Sequence, residues 1–115
     1  MNLLAVGLGS IGRRHTKLFE KYFKNIHIAD INPSRLEEAK KTINIQKTFT
    51  DYKEAIKKEN YDLILITTPP HLHLKVAKAA VNKNINLFIE KPLGMNSKGW
   101  KKIYNKCKKK KLINY

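Results

Sequence analysis

Short apolar runs alternate along the chain with stretches whose apolar residues recur every three or four positions. Leu3-Leu4-Ala5-Val6 closes on glycines, the pattern of a strand buried on both faces. From Ser10 the period changes. Ile11, His15, Leu18, Phe19 and Tyr22 fall at helical spacing, with Arg13, Arg14, Lys17 and Lys21 elsewhere on the wheel, which predicts a helix with that apolar stripe turned inward. Residues 26–29 read as a second strand closed by Asp30, and Pro33 opens a short helix through Leu36 and Ala39. Residues 45–49 form a weaker third strand. Thr50 or Asp51 caps the next helix, with Glu54 placed to complete a capping box from Asp51.

Residues 63–67 make the strongest strand, stopped by Thr67-Thr68-Pro69-Pro70. A helix over 72–82 follows, with Leu74, Ala77 and Val81 on one face, and then a fifth strand over 87–90. Trp100, Ile103, Tyr104 and Cys107 are spaced as the inner stripe of a last helix, and residues 112–115 have strand character.

Strands alternating with helices imply a parallel sheet covered on both faces, because crossovers are right-handed. The expected fold is a doubly wound α/β sheet of Rossmann type, strand order 3-2-1-4-5, with the final segment as a sixth strand if it pairs. Such sheets bind ligands beyond the carboxyl ends of their strands, where the order reverses. That places 7–12, Asp30, 67–71 and 90–91 around one crevice.

Length fits this single unit, since 115 residues suit one domain. No apolar run approaches the roughly 20 residues of a membrane helix, and glycines at 7, 9 and 12 interrupt what would be a signal segment. A single cysteine, Cys107, excludes an internal disulfide framework and a multi-cysteine zinc site; the expected compartment is the cytoplasm. The net charge of +15 invites a nucleic-acid reading, but 21 of the 24 basic residues are Lys, whereas base-edge recognition favours the Arg fork. Residues 98–115 alone hold eight Lys and no acid, so the excess is sharpest in the final helix. His71 and His73, two apart on a helix, make a poor metal pair, and no metal site is expected.

The candidate chemistry begins with Gly7-Leu8-Gly9-Ser10-Ile11-Gly12, a G-x-G-x-x-G run that directly follows a strand and opens a helix. Gly7 permits the tight turn, Gly9 lets a diphosphate approach the backbone, and Gly12 lets the helix pack closely on the sheet. Amides near Ser10 and Ile11 would donate to phosphate at the positive end of the helix dipole. Asp30, 18 residues after Gly12, is placed to accept from the adenosine ribose hydroxyls. A 2′-phosphate would meet like charge there, which favours NAD over NADP. Arg35 softens that argument, and a strand-end Asp can also simply cap the following turn.

These residues, with Thr67-Thr68-Pro69-Pro70-His71 and Glu90-Lys91-Pro92-Leu93 in the same order and spacing, resemble the Gfo/Idh/MocA oxidoreductases, the family of glucose–fructose oxidoreductase and inositol dehydrogenase. The resemblance covers essentially the whole chain. It implies an NAD(P)-dependent dehydrogenase that moves a hydride between nicotinamide and a sugar or cyclitol CH–OH group. It implies that Lys91 assists proton transfer at the reacting hydroxyl, that Glu90 approaches the nicotinamide ribose, and that Thr67, Pro69 and His71 line the middle of the cofactor. Read without the resemblance, Glu90-Lys91 is an exposed strand-end pair.

Members of that family continue for about another 200 residues into a substrate domain. The expectation is therefore a cofactor-binding domain over 1–115 without the substrate domain, binding NAD(H), meeting a sugar or cyclitol only with that second domain, and inactive alone. Two other readings stand beside it: an NAD-binding module without turnover, and a charge-driven nucleic-acid binder. An uncovered sheet edge also allows self-association.

Overall fold

A computed structural model describes residues 1–89. The expected last helix, the sixth strand, and the residues Glu90, Lys91 and Cys107 lie outside them. Five parallel strands form one sheet in the order β3-β2-β1-β4-β5: β1 (Asn2–Val6), β2 (Asn25–Ala29), β3 (Lys47–Phe49), β4 (Leu63–Ile66) and β5 (Asn86–Ile89). The predicted order is the observed one. Helices α1 (Ser10–Phe19), α2 (Pro33–Thr42), α3 (Tyr52–Lys58) and α4 (Pro70–Asn82) connect successive strands.

Alternate strand residues feed two separate cores. Leu4, Val6, Ile64, Ile66 and Leu87 pack with Ala55 and Ile56 of α3 and with Val76, Ala77, Ala80 and Val81 of α4. Leu3, Ala5, Ile26, Ile28 and Leu65 pack with Leu36 and Ala39 of α2. The central strands are thus covered on both sides, which accounts for their unbroken apolar runs.

Local chemistry sets the element ends. The Asn32 side chain accepts from the Ser34 N–H, with Pro33 in the first turn of α2. Asp51 caps α3 by accepting from the Lys53 N–H at 2.9 Å. The reciprocal half of the expected capping box does not form, because Glu54 pairs with Lys58 one turn on instead. Helix α4 ends in a Schellman motif. Asn84 takes the left-handed conformation (φ +60), its N–H bonds the Val81 carbonyl, and the Ile85 N–H bonds that of Ala80.

The expected inner stripe of α1 is corrected. Ile11, Leu18 and Tyr22 are 51%, 58% and 65% exposed, and the buried residues of α1 are Gly12 and Thr16, with His15 and Phe19 half-buried. The reason is contact distance. α1 starts so close to the sheet that its inner positions hold a glycine and a small hydroxyl, and Thr16 returns its proton to the Gly12 carbonyl at 2.6 Å. On α4 the sheet-facing side is wider than expected, adding His73, Val76 and Ala80 to Ala77 and Val81.

A candidate dinucleotide cleft at the carboxyl ends of the strands

The strand order reverses between β1 and β4, and the loops that leave these two strands pack directly on one another. Gly7 holds φ +93, and a Cβ there would meet the Thr68 nitrogen at 2.7 Å. A Cβ at Gly12 would lie 1.9 Å from the Gly7 carbonyl oxygen and 2.5 Å from the Thr67 hydroxyl. Both glycines are therefore required by close approach. Gly9 differs, because a Cβ there would meet nothing within 4 Å among the described residues. It faces open space, the property a ligand-facing position needs.

Gly9 is also the N-cap of α1. It has no side chain with which to cap, and no acidic residue sits in the first turn. The first amides of α1, those of Ser10 and Ile11 among them, thus meet the cleft uncapped at the positive end of the helix dipole. Asp30 closes the turn from the β2 side. Its Oδ2 accepts from the Leu8 N–H at 2.8 Å and its Oδ1 from the Asn32 N–H at 2.8 Å. Arg35 places a guanidinium nitrogen 3.8 Å from Oδ2. The turn-capping role left open for Asp30 is formed. An ionised carboxylate has about four lone-pair sites, so two bonds leave capacity for further donors.

Together these elements border a cleft of about 930 Å³, within the roughly 300–1,000 Å³ of ligand clefts. The structure brings Gly7, Gly9, Ser10, Ile11, Gly12, Asp30, Thr67 and Pro69 to its wall. His71 is the second residue of α4. Glu90 and Lys91 fall outside the described residues.

Sequence reasoning missed the opposite wall. Tyr52 and Lys53 of α3, and Leu72, Lys75 and Val76 of α4, line the cleft, with Ile31 (83% exposed) at its rim. Burial, and next the charge of Asp51, push the Tyr52 hydroxyl above its ordinary value, so it stays neutral. The available signal was Ile31, an apolar residue inside the polar turn Asp30-Ile31-Asn32-Pro33. Thr68 belongs to the motif but carries no role in what the resemblance implies. Its Oγ is buried with no hydrogen-bond partner among the described residues.

A glycine turn, an uncapped helix and a strand-end carboxylate at the reversal point define a dinucleotide-binding domain. The chain belongs to the Gfo/Idh/MocA oxidoreductase family with an NAD-binding Rossmann fold, whose match spans residues 1–115. It is 28% identical to myo-inositol 2-dehydrogenase of Thermotoga maritima over 115 residues, covering 98% of this chain and 34% of that protein. The structure is similar to myo-inositol 2-dehydrogenase of Lactobacillus plantarum (TM-score 0.85, 26% identity, covering 100% of this chain and 36% of that one). It shares its fold with scyllo-inositol dehydrogenase of Lactobacillus casei, solved with NAD(H) and scyllo-inositol (TM-score 0.87, 22% identity, covering 100% and 35%). The chain thus spans about a third of the length of these relatives. Among the described residues no helix is long and apolar enough to cross a membrane.

Proposed function

We propose that the chain holds NAD(H) across the carboxyl ends of β1, β2 and β4, as the cofactor half of a dehydrogenase acting on a cyclitol or sugar hydroxyl. The observation that carries this reading is Gly9. Among the described residues, the one glycine of the turn with open space above it is also the N-cap of a helix whose first amides no side chain satisfies. The diphosphate lies there, donated to by the amides of Ser10 and Ile11. Asp30 receives the adenosine ribose hydroxyls on its remaining lone pairs, and the adenine lies toward Ile31 and Leu72. NAD is preferred to NADP because a 2′-phosphate would meet the Asp30 carboxylate, a preference that Arg35 moderates.

Thr67, Pro69 and His71 follow the middle of the cofactor, Glu90 its nicotinamide ribose, and Lys91 exchanges the proton of the reacting hydroxyl as hydride passes between carbon and nicotinamide. A lysine does this once its pKa falls, as a cationic nicotinamide nearby favours and Glu90 opposes. The cyclitol class is supported by the names of the relatives, and their greater length supports a requirement for a further substrate domain. Titration of the chain with NADH and NADPH, followed by nicotinamide fluorescence, tests the reading. NADH binds more tightly than NADPH, and the chain alone reduces no inosose. Absence of NADH binding at millimolar concentration, with retention on a nucleic-acid column, would favour the charge-driven alternative.

A further inference from the structure

The loop after β4 carries two adjacent threonines in different situations. Thr67 has spent its proton: Oγ1 donates to the Gly7 carbonyl at 2.6 Å and lies 3.4 Å from that of Val6. The same oxygen lies 2.5 Å from where a Cβ on Gly12 would be. Thr68 lines the cleft, and its backbone nitrogen is the atom nearest to a Cβ placed on Gly7. Its hydroxyl is buried and finds no acceptor among the described residues. A buried hydroxyl without a protein partner is costly and uncommon in native proteins, and a ligand that accepts from it is one way the cost is met.

We propose that the two threonines divide the work: Thr68, not Thr67, donates to a diphosphate oxygen of the cofactor, while Thr67 is a positioning residue that holds the glycine turn. This rests on the dinucleotide reading above. It goes beyond what the resemblance implies, in which Thr67 lines the middle of the cofactor and Thr68 has no role. A hydroxyl can donate its proton once. That of Thr67 is committed to a carbonyl, whereas that of Thr68 is buried and unclaimed on a residue that lines the cleft, and a rotation about χ1 would turn it to an anionic oxygen, its strongest acceptor.

Isothermal titration of the full 115-residue chain with NADH and with ADP-ribose, paired with thermal melts, tests the division. Thr68→Val is expected to weaken both ligands about tenfold or more while the melting temperature stays level or rises, because an orphaned hydroxyl is removed. Thr68→Ser restores binding to within about twofold. Thr67→Val lowers the melting temperature, and weakens ligand binding through the loosened turn. Thr68→Val binding both ligands as tightly as the wild type would overturn the proposal. So would a loss confined to NADH, which would move the contact to the nicotinamide side, or a melting loss as large as that of Thr67→Val. A wild-type chain that binds neither ligand would instead refute the dinucleotide reading itself.

Discussion

The carboxylate of Asp30 accepts the backbone N–H of Leu8 at 2.8 Å, so the end of β2 is tied to the glycine turn that leaves β1. One side chain thereby shapes the glycine turn and, in the proposed reading, also receives the adenosine ribose. Asp30→Ala removes an acceptor from the Leu8 and Asn32 amides, and each orphaned donor costs about 1–3 kcal/mol. The variant should melt lower, and should lose more affinity for NADH than for NADPH. Equal losses by titration would mean that Asp30 shapes the turn and contributes nothing to cofactor choice.

The glycines of the turn should separate under substitution. Gly12→Ala drives a Cβ into the Gly7 carbonyl and should destabilise by about 1–3 kcal/mol or more, read as a lower denaturation midpoint. Gly9→Ala meets nothing within 4 Å among the described residues and should change stability by less than about 1 kcal/mol, yet weaken NADH about tenfold by projecting a methyl into the proposed diphosphate site. Equal stability losses in the two variants would contradict the geometry.

Much of this was legible in the sequence because the glycine turn is a local motif and the parallel strands are buried on both faces. Leu3-Leu4-Ala5-Val6 and Leu63-Ile64-Leu65-Ile66 announce central strands without help from their neighbours. What was not legible depends on distances across the fold. The pattern turns Ile11 and Leu18 inward, but both are exposed, since a helix that approaches the sheet this closely selects small residues rather than large ones; Tyr22 lies beyond the end of α1. Whether Glu54 would serve the Asp51 N-cap or Lys58 was a competition between two local partners, and pattern alone does not settle it. Thr67 and Thr68 are chemically identical side by side. Only the position of the Gly7 carbonyl distinguishes them.

Lys83 ties α4 to the end of α3. Its ammonium group donates to the carbonyls of Ile56 and, at 3.1 Å, of Glu59, at the negative end of the α3 dipole. Lys83→Met keeps the stem but leaves those carbonyls unpaired. A loss of about 1.5–3 kcal/mol is expected in denaturant titration, the size of a hydrogen bond to a charged group. An unchanged midpoint would show that water serves them equally well.

His27 should make stability depend on pH. It is buried, with Nδ1 2.8 Å from the Tyr61 hydroxyl and its ring against Phe49 and Tyr61, and the Lys47–Glu59 ion pair lies nearby. Burial lowers its pKa below the ordinary 6.5; Glu59 opposes the shift and Lys47 adds to it. Below 6.5 the unfolded chain therefore binds a proton that the folded chain resists, and stability falls as pH drops below 6.5 until the folded chain also takes up the proton. The paired Glu20 and Glu59, whose values are lowered from 4.5, lose their contributions only further down. His27→Gln should flatten the upper part of that slope. A slope unchanged by the substitution would place its origin elsewhere.

The central claim is that a dinucleotide lies between the α1 N-terminus and the loop after β4. Amide chemical-shift mapping of the isotopically labelled chain during NAD titration tests it most directly. The largest shifts are expected at Gly9, Ser10, Ile11 and Thr68, with smaller ones at Ile31 and Leu72. Saturating NAD that leaves these amides unmoved, or shifts concentrated at the amino ends of the strands around Asn2, Asn25 and Asn60, would contradict it.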